Sequence, residues 1–172
     1  MINTKRPLIL GVVLYTFTEE ENMENARRFI FLSDNFFCTY NETEYPEIEH
    51  KPDRPYMQMY MDIDGVKFAI PFRSHIRHQN AFWTNREQRC GLDYSKAVVV
   101  NDESYIDTTR TPHLRPEEFD TLRGKDAQIK RQMKSYIRNY KFAKNNLHQT
   151  RNQLIVRFST LQYFEEEIAN IY

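Results

Sequence analysis

A chain of 172 residues is long enough for one domain with a sizeable core and no covalent staples. Its 40% hydrophobic and 28% charged residues are an ordinary soluble globular composition, and only four glycines argue against phosphate-binding glycine loops. The formal net charge of zero hides an asymmetry: Phe17 to Asp53 holds ten acidic and three basic residues (net −7), and Lys125 to Arg151 eight basic and one acidic (net +7). Such a polarised chain suits a polyanion on its basic part, although for a charge run alone a solvated helix face is the better explanation. Cys38 and Cys90 form no CxxC motif and no Cys/His cluster at zinc spacing, so they read as reduced thiols of a cytoplasmic protein.

Lys5-Arg6 precedes an apolar run from Pro7 to Phe17 that is too short to span a bilayer. With no small-residue cleavage site and glutamates following at once, residues 1–25 fit an extra strand, or a translated leader before a start at Met23, better than an export signal. Residues 26–172 are then one domain. Arg27 to Leu32 is a first core strand, and Ser33-Asp34 caps a short helix carrying Phe36, Phe37 and Tyr40. Asn41 to Asp53, with Pro46 and Pro52, is a loop.

From Tyr56 to Ile63 polar or aromatic residues alternate with Met57, Met59, Met61 and Ile63, the period of a strand. Asp64-Gly65 is the dipeptide suited to a type I′ turn, in which both central residues need φ > 0. Val66 to Ile70 returns, and Pro71 is expected to end the strand because proline cannot donate to the ladder. Ser74 is placed to cap a helix reaching Phe82, with His75 and His78 on one face. Trp83 to Asp93 reads as irregular, Lys96 to Asn101 as a strand buried on both faces, and Tyr105 to Thr108 as another short strand. A helix entered through Arg115-Pro116, with Glu117 and Glu118 in its first turn, breaks near Gly124 and continues to about Leu147. Ile129, Met133, Tyr136, Tyr140, Ala143 and Leu147 form its core stripe, and Lys130, Lys134, Arg138, Lys141 and Lys144 a basic ridge. A last helix from about Gln153 would bury Leu154, Phe158, Leu161, Phe164 and Ile168. The class is α+β, a small bent antiparallel sheet with several packed helices and a long helical C-terminal half.

The chemistry is narrowed by what is missing. The chain has no P-loop, dinucleotide fingerprint, HExxH or GxSxG motif, and no clustered carboxylates for catalytic cations. What remains is cationic and hydroxylic: Arg54, Arg73, Ser74, His75, Arg77 and His78, with tyrosines nearby. Metal-free RNA cleavage needs such groups: a base for the 2′-OH, donors for the charge developing on phosphorus, and an acid for the leaving 5′-oxygen. Arginine serves the second role through its bidentate fork, and histidine the first or third. A phosphate-contacting loop without chemistry would carry the same residues. Tyr56 and Tyr60 could cover a sheet face or stack on bases.

Met57-Gln-Met-Tyr-Met-Asp-Ile-Asp-Gly65, Phe68-Ala-Ile-Pro-Phe-Arg-Ser-His75, Asn80-Ala-Phe82 and Gly91-Leu-Asp-Tyr-Ser-Lys-Ala-Val98 together resemble the toxins of type III toxin–antitoxin pairs, the ToxN/AbiQ/CptN/TenpN superfamily. The likeness is greatest to the TenpN branch and spans roughly Arg28 to the C-terminus. It implies a compact, strongly bent β-barrel core of the MazF and CcdB kind. It also implies an endoribonuclease that needs no metal or other cofactor, cleaves mRNA to a 2′,3′-cyclic phosphate, and is held by and processes a small repeated antitoxin RNA in a toxin–RNA assembly. The family's central serine falls on Ser74, and its basic residue before the first hairpin strand on Arg54. Where the ToxN pattern has a lysine two residues after the serine, this chain has Ile76, so His75, Arg77 or His78 must supply the charge or proton. The expected roles are Ser74 and His75 at the 2′-OH, Arg54, Arg73 and Arg77 on the phosphorane, His78 as alternative acid, and the basic ridge on antitoxin RNA. A catalytically silent RNA-binding module and a CcdB-like toxin with a protein target are the competing expectations.

Overall fold

A computed structural model describes residues 28–172. The expected leader or extra strand in residues 1–25 lies outside them. The described chain is α+β: seven antiparallel strands with four α-helices. The strands are β1 (Phe29–Leu32), β2 (Gln58–Ile63), β3 (Val66–Arg73), β4 (Ala81–Asn85), β5 (Cys90–Asp93), β6 (Val98–Val99) and β7 (Ile106–Asp107). The helices are α1 (Asp34–Thr39), α2 (Pro116–Leu122), α3 (Asp126–Lys144) and α4 (Thr150–Arg157).

The β2–β3 hairpin is the centre of the sheet. Asp64 and Gly65 both take positive φ (53° and 86°), as the type I′ turn requires. The Asp62 carboxylate accepts from the Gly65 N–H at 2.9 Å and pairs with Lys67 at 2.8 Å, directly across the ladder. Met59, Met61 and Ile63 point into the core, while Tyr60 and Asp62 stay half-buried.

Pro71 does not end β3, which continues to Arg73. The Phe72 N–H bonds to the Met57 carbonyl, so Pro71, one residue earlier, faces the opposite edge. On that edge β6 pairs with Phe68 and Ala69, and β5 with Phe72 and Arg73. Pro71 falls in the gap where the neighbour changes, a place where no donor is needed.

The order is β4-β5-β3-β2-β1-β7, with β6 beside β3. The end strands β4 and β7 do not pair, so among the described residues the sheet stays open and the expected β-barrel core is not formed. Strands of two residues, β6 and β7, have too few ladder bonds to carry closure.

The segment after β3 also departs from expectation. Ser74 to Asn80 contains no helix: His75 takes a left-handed φ of 60°, and the Ile76 N–H bonds across to the Arg89 carbonyl at 3.1 Å. His75 and His78 therefore do not share a helix face. The stretch expected to be irregular contains the β4–β5 hairpin instead. Its four-residue connection, from Arg86 to Arg89, lacks an Asn-Gly or Asp-Gly signal and turns through Arg89 at φ 54°, with a register shift between Trp83 and Asn85. Gly91 makes the hairpin possible, because a Cβ there would lie 2.1 Å from the Phe82 carbonyl oxygen. Gly91→Ala is expected to destabilise at the upper end of about 1–3 kcal/mol, read as a lower urea midpoint; an unchanged midpoint would show that the strands can separate freely.

Gly124 at φ 69° breaks the helical region between α2 and α3 as expected. Along α3, Ile129, Met133, Tyr136, Ile137, Tyr140 and Ala143 are buried, whereas Leu147 lies beyond the helix and is exposed. The last expected helix is shorter and shifted: α4 ends at Arg157, and Ser159 caps a 3-10 turn over Thr160–Tyr163 by accepting from the Leu161 N–H at 3.2 Å. Leu161, Phe164 and Ile168 are buried as expected, but Leu154 and Phe158 are about half exposed, at 48% and 49%.

Candidate functional site: a cationic cleft at the end of β3

β3 delivers Arg73 and Ser74 to the sheet edge where β5 begins, and the loop before β2 brings Lys51, Arg54 and Tyr56 to the same place. Arg115, the residue before α2, closes the ring. These side chains line a cleft of about 250 Å³, floored by Phe72, Cys90 and Gly91. Four cations face it against one carboxylate, Glu118, which stands 3.9 Å from Arg115. Clefts lined by one sign of charge concentrate ligands of the opposite sign.

Ser74 is exposed, and its Oγ lies 3.1 Å from His75 Nδ1. The left-handed backbone of His75 turns the ring back onto its own neighbour. Such a conformation is uncommon outside glycine, is several-fold enriched in histidine, and clusters at functional sites.

Arg73 is anchored rather than loose. Its guanidinium donates to Glu49 at 2.7 Å and to Asp93 at 3.1 Å, and lies 5.5 Å over the Tyr56 ring. Burial works against its charge, and the carboxylates of Asp93 and Glu49 more than offset it. Glu49 also accepts from the Tyr56 hydroxyl at 3.1 Å, and Lys51 donates to that hydroxyl at 2.5 Å. The positive cleft wall is thus tied to two carboxylates, Asp93 buried and Glu49 part-exposed.

Asp93 is the inner end of this network. Its side chain is 1% exposed, and it accepts from the Ser95 N–H (3.0 Å), the Ser95 hydroxyl (2.7 Å) and Arg73, with His78 Nε2 at 3.4 Å. Burial pushes its carboxyl up, but the partnership with His78, Ser95 and Arg73 prevails and holds it below the usual carboxylate range.

The residues singled out in the sequence therefore separate. Arg54, Arg73, Ser74 and Tyr56 line the cleft, with His75 on Ser74. His78 is turned to Asp93 and to the Ser95 hydroxyl at 3.1 Å, with its Nδ1 buried and without a hydrogen-bond partner among the described residues. Arg77 is exposed on the loop and does not line the cleft. Tyr60 lines a separate groove beside Lys67 and Val99. On α3, Lys134 pairs with Asp64 at 2.7 Å, Lys144 pairs with Glu165, and Lys141 donates to the carbonyls of Ala169 and Ile171, both at 2.8 Å. Lys130 and Arg138 are exposed and make no ion pair with a described residue. Among the described residues no group of three or more His, Cys, Asp or Glu is placed to hold a metal ion.

Lys51, Arg115, Glu49 and Asp93 were not anticipated. Only Asp93 carried a readable signal, since an aspartate two residues before Ser95 fits the side-chain cap it provides to the Tyr94–Lys96 turn. No match is found for the chain to a protein-family model, a curated protein or a solved structure.

Proposed function

We propose that the protein is a metal-independent endoribonuclease, the toxin of a type III toxin–antitoxin system, acting in the cytoplasm on mRNA and held by a small repeated antitoxin RNA. The observation that carries this reading is the Ser74–His75 pair set at the rim of a cleft that four cations, Lys51, Arg54, Arg73 and Arg115, line against the single carboxylate of Glu118. The resemblance of Arg54 to Asn101 to the ToxN/AbiQ/CptN/TenpN toxins supports it independently of that geometry. Among the described residues no helix is long and apolar enough to cross a membrane.

In this reading a phosphodiester enters the cleft with its non-bridging oxygens toward Arg54 and Arg115. Arg73, fixed by two carboxylates, contributes a preorganised positive wall, which needs no rearrangement as charge develops on phosphorus. The 2′-oxygen attacks phosphorus and gives its proton to His75 or, through the Ser74 hydroxyl, to the same ring. The P–O5′ bond breaks as the 5′-oxygen takes a proton from solvent water, leaving a 2′,3′-cyclic phosphate and a 5′-hydroxyl. His78 acts on this machinery from behind, by holding Asp93 and so Arg73. Antitoxin RNA has Lys130 and Arg138 on α3 as cations without an ion pair among the described residues, and binding there weakens steeply with salt as counterions are released.

The direct test is RNA incubated with wild type and Ser74→Ala. Cleavage by the first and intact, bound RNA with the second is expected. Intact RNA with both, bound with a steep salt slope, would favour a silent RNA-binding module.

A further inference from the structure

A second concavity takes in the far end of the Ser74–Asn80 loop, at Gln79 and Asn80. It has a volume of about 460 Å³, within the range of small-ligand sites, and is lined by Asn80, Tyr94, Gln132, Ser135, Asn139 and Arg151, among others. Its chemistry is the opposite of the first cleft: carboxamides and hydroxyls dominate, with one cation and no carboxylate. Gln132, Ser135 and Asn139 stand at i, i+3 and i+7 on α3, a polar stripe beside the buried one.

The carboxamide of Gln132 is oriented. The Tyr94 hydroxyl donates to its Oε1 at 2.8 Å, so its Nε2 keeps both donors, with no acceptor among the described residues. Tyr94 is itself buried, which makes this bond part of the fold rather than a surface accident. Arg151 is exposed at the rim and has no carboxylate partner among the described residues.

Planar carboxamides in a pocket without carboxylates match the edge of an adenine, whose N6 amino group and N7 pair bidentately with Asn or Gln. A guanidinium at the rim matches the phosphate of the same nucleotide. We infer that this pocket takes an unstacked adenine of single-stranded RNA, with its 5′-phosphate on Arg151, and so sets which base stands near the cleavage cleft. The inference rests on the reading of the protein as an RNA-binding one. Ser74 and Asn80 are six residues apart, which limits the separation of the two sites to roughly 20 Å, a few nucleotides of extended strand. Arg77 is exposed on the loop joining them. Single-stranded RNA is read in this way, through splayed bases bonded on their edges.

Titration with 5′-AMP, followed by NMR shifts of the side-chain amides of Gln132 and Asn139, tests the site without any cleavage. Saturable binding is expected, weakened about tenfold in Gln132→Ala and in Asn139→Ala, and unchanged in Ser74→Ala. Asn139 is exposed, so its variant keeps the test valid if loss of the Tyr94–Gln132 bond disturbs the fold. Equal binding of AMP, GMP, CMP and UMP, no shift at millimolar AMP, or full affinity in Asn139→Ala would each overturn the inference. Cleavage of RNA at the first cleft could survive all three outcomes, and AMP could bind a protein that cleaves nothing, so the two readings fail separately.

Discussion

Replacing His75 by glycine is expected to lower RNA cleavage by about 10²–10⁴-fold, the usual contribution of a positioned acid–base group, while leaving the protein folded. The two readouts separate because of the backbone. At φ 60° an L-residue carries a cost of about 1–2 kcal/mol, which glycine escapes. Glycine loses more entropy on folding, roughly 0.5–1 kcal/mol relative to alanine, so the net change in stability is near zero or slightly favourable. The Ser74 hydroxyl meanwhile loses the nitrogen 3.1 Å away. Single-turnover cleavage and urea midpoints on one preparation give both numbers. A cleavage rate within a fewfold of wild type would remove His75 from the chemistry and leave its strained backbone without a function.

Asp93→Ala carries the largest expected stability effect. Removing one member of a buried ion pair costs about 3–5 kcal/mol, because the partner is left charged and unpaired. Here the remaining Glu49 contact to Arg73 argues for the lower end. Cleavage should fall with it, through loss of the fixed arginine, so activity is compared at temperatures where the variant is folded. The pH dependence has a definite sign. The folded carboxyl is held below its ordinary value, so its stabilisation is complete above the unfolded pKa of about 4 and is lost as pH falls through the lower, folded value. Wild type should therefore lose stability on acidification below about pH 4, and Asp93→Asn should show a flatter acid limb. An Asp93→Ala urea midpoint close to wild type would mean that the network is ornamental.

Much of the fold was legible wherever local chemistry decided it. The Asp64-Gly65 turn, the Ser33 cap, the Gly124 break and the apolar stripe of α3 rest on residues acting on their immediate neighbours. The misreadings came where a distant partner decided. Pro71 stays inside β3 because β5 and β6 share that edge and leave a gap at its nitrogen. Ser74 caps nothing because the Ile76 N–H finds the carbonyl of Arg89, thirteen residues on. Hairpin β4–β5 hides behind an arginine-rich turn, and barrel closure depends on strand lengths that no periodicity reveals. The candidate site shows the same division. Arg54, Arg73 and Ser74 could be named from their place at the hairpin mouth. Asp93 and Arg115 reach it only through the sheet and the start of α2, and the isolated sequence could not separate the anchored Arg73 and His78 from the exposed Arg77.

The end chemistry of the RNA product tests the account most directly. Purified protein is incubated with single-stranded RNA in excess EDTA, and the new termini are mapped. A 2′,3′-cyclic phosphate paired with a 5′-hydroxyl, lost in Ser74→Ala, is the predicted result. A 3′-hydroxyl paired with a 5′-phosphate, or RNA that stays intact while bound, would contradict it.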